Sequence, residues 1–481
     1  MEFCESGGTR WKLWIVFPLC LCVSVVNAFS SNADWPTARG NPQRTGCVDN
    51  QAGPATPNIV WVYKSQDHFI ASPVPAGDRL FVAGLGGFNV PTVSALPTEA
   101  KGAPAPLWIR SGNAVRMPVV SSPAVADGVL VFGGGMHQDN GGALFCFRQD
   151  GFPLWQLPMP GNLYHLEGAP AFAGKRAYIG GGSGGVICVE RERVTLDGKE
   201  LDTPAMQKAL DAKWKELLAK YEEDKKKDPD LARKPSEDEL PKPAPIKVWQ
   251  VGNEKWHVDA PVAVVGDSVL VTSAFLELEK VGDRALFCLD ASTGSQRWRQ
   301  SLLLNPWGGP SVHEKTIVVC GSSVNYDPKS LTGAKGDISA FDLATGKPMW
   351  RKEIPGGVVA CAALADGLAI CCATDGKVRA FDLASGERRW IYDAKAPLFA
   401  PPTVAAGVAY AGDLKGVVHA IALADGKAKW RLDLAADAAV KMPGMIYAGP
   451  VLQGGKLFVA TCNLEGANSR QPTVVVCIGT K

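Results

Sequence analysis

The chain is 481 residues long, 46% hydrophobic and 20% charged, with a formal net charge of +2. That composition supplies ample apolar material for a folded core and excludes a disordered chain. The near-neutral charge, with no sustained basic patch, excludes nucleic acid as the main partner.

Arg10 and Lys12 precede an uncharged stretch, residues 13–26, and a small-residue cleavage signature at Val26-Asn27-Ala28. Residues 1–28 therefore read as a secretory signal peptide. The stretch is short for a membrane span, which makes an uncleaved anchor the minor alternative. Neither Cys20 nor Cys22 follows the small residue expected ahead of a lipidated cysteine. A soluble exported protein, periplasmic or secreted, is expected, with no integral span after signal cleavage. Residues 29–57 form a polar lead-in rich in turn formers, expected to run along one face with Trp35 as its anchor.

Residues 58–63 (NIVWVY) read as a strand carrying Trp61 with no unit before it. From there one unit recurs, beginning at Pro73, Pro123, Pro170, Pro261, Pro310, Ala362, Pro402 and Pro450. Except at Ala362, where the proline is missing, each opens a strand where proline's missing donor does no harm. A polar turn follows, then a β-branched and aromatic run such as Leu80-Phe81-Val82 or Ile317-Val318-Val319, the mark of a buried strand. A loop, a third strand, a glycine turn and a fourth strand ending in tryptophan complete the unit. Those tryptophans are Trp108, Trp155, Trp249, Trp298, Trp350, Trp390 and Trp430. The unit from Pro450 runs out of chain before its fourth strand, and residues 58–63 supply it. Four-stranded units of roughly 40 to 50 residues bury a face only by stacking on neighbours. The expected fold is all-β: over residues 58–481, an eight-bladed propeller of four-stranded antiparallel blades, closed by the N-terminal strand so that no edge is free.

The third unit departs from the pattern at residues 190–247, a helical and charged insertion between its third strand and Trp249. Thr203 offers a capping hydroxyl and Pro204 the first helical position. Met206, Leu210, Trp214, Leu217 and Tyr221 recur at three- and four-residue steps, which predicts a helix of about twenty residues with one apolar stripe, dissolving at EEDKKKD. The stripe is expected to lie on the propeller, with partner docking through Trp214 as the alternative. An insertion into a third-to-fourth strand turn projects from the end opposite the second-to-third loops.

The phrase A-x-D-x-x-T/S-G-x-x-x-W, complete at Ala340, Asp342, Thr345, Gly346 and Trp350, resembles the tryptophan-docking motif of the PQQ-like (pyrroloquinoline-quinone-like) propeller family. That family includes the quinoprotein alcohol dehydrogenases and the propeller lipoprotein of the outer-membrane β-barrel assembly machine. The resemblance covers nearly all of the mature chain. It implies the propeller and assigns all eight strand-ending tryptophans, Trp61 among them, to blade docking; function must be sought in sites placed on the fold.

Candidate site residues lie just before the first strands and in the second-to-third loops, at the end where propellers place their sites. They are His68, Tyr164-His165-Leu166-Glu167, Trp256-His257-Val258-Asp259, Trp307 and Tyr447, with His137 in the loop GGGMHQDNGG. The twice-used pattern aromatic-His-aliphatic-acid brings His165, Glu167, His257 and Asp259 to one rim, the residue types of a metal site or an acid–base pair. Shared repeat ancestry explains the same spacing if each histidine is hydrogen-bonded within its own blade. His313 and His419 fall in or near strand turns and carry no expected chemistry. Cys146, Cys188, Cys288 and Cys477 occupy one repeat slot and Cys320 and Cys372 another, where other blades hold alanine or glycine, so cysteine stands in for a small buried residue. Cys47 and Cys462 fit neither slot and are candidates for a bridge or a free thiol. The resemblance admits a vicinal disulfide at Cys371-Cys372, since quinoprotein dehydrogenases carry an adjacent cysteine pair.

Those dehydrogenases also use a calcium or lanthanide ion held by Glu and Asn, a catalytic Asp and a Trp floor under the quinone, and no segment here matches that set. No phosphate loop, zinc-type cysteine spacing, G-x-S-x-G or H-E-x-x-H occurs. The chain thus reads as a non-catalytic, monomeric scaffold that binds a protein or peptide partner in the cell envelope by strand addition or aromatic pockets. Neither cofactor nor metal is expected. The alternative is a periplasmic quinoprotein-like oxidoreductase using PQQ with calcium, or a metal, at the channel mouth.

Overall fold

A computed structural model describes residues 35–47, 51–86, 90–112, 114–137, 139–253, 255–465 and 468–480, so the expected signal peptide lies outside the described residues. Eight antiparallel sheets follow one another along the chain. In blade four the innermost strand is Ala263–Val265, followed outward by Ser268–Leu276, Val281–Asp290 and Gln296–Ser301. The middle strands are buried on both faces, as in Val129–Gly134, whereas Gln296–Ser301 alternates toward solvent. The apolar runs seen in the sequence are therefore the sheet centres.

Blade eight joins the two ends of the chain. Val451–Gln453, Lys456–Ala460 and Thr473–Thr480 are completed by Pro57–Ser65, which pairs with the last strand from Pro57↔Thr480 to Ser65↔Thr473. The ring closes with the N-terminal strand, as the repeat arithmetic requires.

Each blade is fastened to the next by its tryptophan. The indole N–H of Trp298 donates to the carbonyl of Leu343 at 3.2 Å, that of Trp350 to Leu383 at 3.0 Å and that of Trp390 to Leu423 at 2.7 Å. The indole faces rest on turn glycines of the following blade. A Cβ at Gly346, where φ is +69°, would lie 2.5 Å from the Trp298 ring. Glycine is required there by both the backbone conformation and the approach of the ring. Trp61 repeats the bond to Thr98, and Trp430 donates to Pro54, ahead of the closing strand.

Trp155 is the exception, because the turn it would meet in blade three is replaced by the insertion. Met206 and Leu210, on the helix Thr203–Lys227, are buried in the same cluster as Trp155, and Trp214 and Leu217 pack against it. The stripe thus lies on the propeller. The insertion opens as a hairpin rather than a helix, since the third strand runs on to Leu196 and pairs with Lys199–Asp202. Two details of the helix also differ from the sequence reading. Asp202, not Thr203, is the cap, its carboxylate accepting from the Ala205 N–H at 2.8 Å, because Thr203 and Pro204 already lie within the helix. The helix also continues through EEDKKK to Lys227, helped by the Glu223–Lys227 pair one turn apart.

The lead-in does not run along a face. Residues 36–46 coil across the channel, and their carbonyls accept from the innermost strands one after another: Pro36 from Val125, Pro42 from Val264, Gln43 from Val312, Thr45 from Leu364 and Gly46 from Val404. Arg44 sits among them, fully buried. Its guanidinium donates to the carbonyls of Ala38, Ala169, Pro170 and Val262 and to the Thr37 hydroxyl, at 2.8–2.9 Å. Burial pulls its pKa down to about 10, still high enough to keep the charge at neutral pH.

Cys146, Cys188, Cys288, Cys320, Cys371, Cys372 and Cys477 are buried, unbridged thiols, which leaves no vicinal disulfide. Cys462 is likewise a free buried thiol, so it does not bridge Cys47, which packs against the cluster of blades six and seven. Burial pushes the Cys371 and Cys462 thiols up to about 12.

Arg44→Met keeps most of the volume and removes every donor, leaving four buried carbonyls short of a partner. It is expected to lower unfolding stability by about 3 kcal/mol or more in urea titrations. A loss below about 1 kcal/mol would show the buried coil to be passive filler.

Candidate functional site

Antiparallel topology fixes two ends of the channel. The connections that lead into each innermost strand share one end with the second-to-third loops. The first-to-second and third-to-fourth turns, and with them the insertion, lie at the other. His165 and Glu167 lead into blade three, His257 and Asp259 lead into blade four, and His137 lies in the second-to-third loop of blade two. Three blades therefore deliver side chains to one place.

Backbone pairing holds them there. Gly182 and Val258 exchange two hydrogen bonds, each at 3.0 Å, which tie the glycine-rich loop of blade three to the segment carrying His257 and Asp259. Gly182, at φ +56°, passes so close that a Cβ would stand 2.2 Å from the Leu163 carbonyl and 3.2 Å from the His165 ring. The His257 N–H donates to Ser273 Oγ at 2.9 Å. The Glu167 carboxylate accepts from the His137 N–H at 2.8 Å and so pins the blade-two loop over the cluster.

The three imidazoles form a nearly equilateral triangle, with ring centroids 5.1, 5.2 and 5.5 Å apart. Asp259 lies between two of them. Its Oδ1 is 2.8 Å from His165 Nε2 and its Oδ2 is 2.8 Å from His257 Nε2. His165 and His257 have no exposed surface. His137 is more open, and its Nε2 lies 3.2 Å from Glu279. His137, His165, His257 and Asp259 each offer a ligand atom, and the four atoms lie within 4.8 Å of one another. Bonds also cross between blades: His165 meets Asp259 of the next blade, and His257 Nδ1 is 3.0 Å from Ser183 Oγ of the preceding one.

Charge is concentrated here. Burial works against ionisation of His165, but the hydrogen bond and charge of Asp259 outweigh it and raise the pKa. Burial would raise Asp259 as well, yet the two imidazoles hold it well below the usual carboxylate range. Burial and the neighbouring charge of Asp259 push Glu167 up to about 7.

The other sequence candidates lie elsewhere. Trp256 stacks on Phe287 at 4.2 Å within the core of blades three and four, which removes it as a ligand surface. His68 accepts from the Asn463 N–H at 3.1 Å, joining blades one and eight. Trp307 and Tyr447 enter an apolar cluster with Val359, Phe399 and Cys462, where Tyr447 and Phe399 meet edge to face at 5.2 Å. His419 is buried in a strand, 3.0 Å from Asp413 and from the Tyr392 hydroxyl, a structural pair apart from the cluster. Ser183 and Glu279 were not singled out by sequence; the only signal was their place in second-to-third loops next to the two histidine patterns.

A closed ring of antiparallel blades, four-stranded except for the five-stranded third and docked by strand-ending tryptophans, defines a propeller of the PQQ-like class. The chain belongs to the family described as outer membrane protein assembly factor BamB, whose profile matches residues 51–211, 246–329 and 307–478. The unmatched stretch between the first two segments falls in the insertion. Among solved structures, it is similar to BamB from Moraxella catarrhalis at 15% identity, covering 88% of this chain and 97% of that one, with a TM-score of 0.56. A europium-containing methanol dehydrogenase is similar at 14% identity, over 93% of this chain and 98% of that one, with a TM-score of 0.60. The quinohemoprotein alcohol dehydrogenase from Comamonas testosteroni is similar at 14% identity, over 93% and 80%, with a TM-score of 0.60. No curated protein sequence matches the chain. At these identities the structural likeness establishes the fold alone. Among the described residues no helix is long and apolar enough to cross a membrane.

Glu167 makes stability depend on pH. The folded state keeps a proton on this carboxyl up to about 7, whereas the unfolded state releases it near 4.5, so stability falls as pH rises through that window. Chelator-treated protein is expected to lose urea resistance from about pH 4.5 to about pH 7, and Glu167→Gln, which keeps an acceptor for the His137 N–H, to lose measurably less. Identical pH slopes in the two proteins would refute the assignment.

Proposed function

We propose that the chain is an exported, non-catalytic propeller scaffold of the cell envelope that binds a protein or peptide partner on the face carrying the second-to-third loops. One observation carries this reading: large apolar side chains stand exposed around that rim. Val90 is 48% exposed, Leu278 92%, Leu303 65%, Tyr326 38% and Leu464 40%. They come from the loops of blades one, four, five and eight and from the connection between blades four and five. Five of the ten large apolar side chains exposed among the described residues stand at this end, and exposed apolar positions sharing one face suit a binding surface. The Lys329–Glu465 ion pair, at 2.7 Å, links the loops of blades five and eight on that rim. Membership of a family described as an outer membrane assembly factor supports a protein partner.

A second reading, a periplasmic oxidoreductase using PQQ or a metal, is favoured by the convergence of His165, His257 and Asp259. At this cluster the donor set favours a transition metal over a calcium-bound quinone. Calcium and the lanthanides are hard cations that require six or more oxygen ligands. A set of three imidazoles and one carboxylate does not fit them, nor therefore a calcium-bound quinone.

Photo-crosslinkers placed at Leu278 and Leu464 are expected to trap one specific envelope protein, and Leu278→Asp combined with Leu303→Asp to reduce its recovery about tenfold. Recovery of no specific partner would contradict the scaffold reading. Quinone absorbance in the purified protein, or a raised melting temperature with PQQ plus calcium, would favour the oxidoreductase instead.

A further inference from the structure

We propose that His137, His165, His257 and Asp259 bind a single divalent transition-metal ion, with zinc as the representative, held jointly by blades two, three and four.

His257 is the decisive residue. Its ring has no exposed surface. Its Nδ1 is 3.0 Å from Ser183 Oγ, and its Nε2 has no hydrogen-bond partner even though Asp259 Oδ2 is only 2.8 Å away. In the tautomer that donates Nδ1–H to Ser183, Nε2 is left with a lone pair beside a carboxylate oxygen, a buried contact that a cation between the two atoms relieves. A ligating histidine characteristically has its second nitrogen held by an oxygen and its first aimed at the metal, and Ser183 gives His257 that arrangement.

The remaining donors complete a set. His165 Nε2 approaches the other oxygen of the same carboxylate at 2.8 Å. His137 covers the third side from a loop pinned by Glu167. Ligands about 2.0–2.1 Å from a tetrahedral zinc stand roughly 3.3 Å apart. The present limit of 4.8 Å is therefore closed by a shift of about 1.5 Å. His137 is the partly exposed member and the one free to swing, exchanging Glu279 for the ion. Imidazole nitrogens with one carboxylate select zinc, copper, nickel, cobalt or iron over calcium and magnesium. The metal site goes beyond the scaffold reading and stands whether or not a partner is found.

The test uses the full chain, purified without a polyhistidine tag, stripped with a chelator and titrated separately with cobalt(II), zinc(II) and calcium(II). One cobalt per chain is expected, with visible d–d absorption bands that zinc displaces, and no competition from calcium. His257→Gln should abolish the bands. His137→Gln, in a partly exposed loop and so without a folding penalty, should weaken binding at least about tenfold at an unchanged melting temperature. Absence of stoichiometric cobalt binding to a cooperatively melting chain would overturn the proposal. So would His137→Gln binding cobalt as tightly as the parent chain, which would mark surface adsorption; that variant stays decisive if His257→Gln fails to fold.

Discussion

Everything at the channel mouth depends on one contact repeated at five of the eight blade boundaries, an indole laid on a glycine of the neighbouring blade. Trp298, Trp350 and Trp390 each cross a blade boundary, rest on Gly346, Gly386 or Gly426, and donate to a carbonyl in the same turn. A blade alone is a small sheet with two apolar faces and no means of burying both. The docks set the angle between blades, and a ring of fixed angles closes only when the final dock is made. Here that dock couples chain ends, since Trp61 belongs to a strand that pairs with the last residues of the fold. Because the candidate ligands come from three blades, their spacing is a property of the closed ring rather than of any local segment.

Much of this was legible in the sequence, for a physical reason. Blade docking needs a tryptophan, a glycine with positive φ and a small residue on the third strand, and those demands repeat with the blade. Repetition made the strands, the ring and the closing role of Trp61 visible at once. The channel-filling coil was not visible, because its bonds are made by backbone carbonyls of Pro36, Pro42, Gln43, Thr45 and Gly46, which leave no side-chain signature. In the sequence Arg44 is one more polar residue of a turn-rich lead-in; only the closed ring shows the carbonyls that converge on it.

The site was half legible. The matching patterns at His165 and His257 were read as neighbours on one rim, and they are. What the pattern could not convey is that the bonds cross between blades, or that His137, from a loop with no repeat counterpart, folds over to make a third imidazole. Trp256 shows the opposite failure: it shares the pattern but turns inward onto Phe287, since an aromatic ring beside a core gains more from burial than from the rim. The two sides of the channel mouth differ accordingly. Blades two to four meet in imidazoles and carboxylates, whereas Trp307, Phe399 and Tyr447 fill the other side with rings.

Ring closure gathers three histidines from separate blades around one proposed ion position. Anomalous diffraction from crystals of the zinc-loaded chain, collected on both sides of the zinc absorption edge, addresses it most directly. One anomalous peak is predicted, bounded by His137 Nε2, His165 Nε2, His257 Nε2 and an Asp259 oxygen, at about 2.0–2.2 Å from each. A peak elsewhere, or imidazoles still paired with Asp259 and Glu279 with no peak between them, would contradict it.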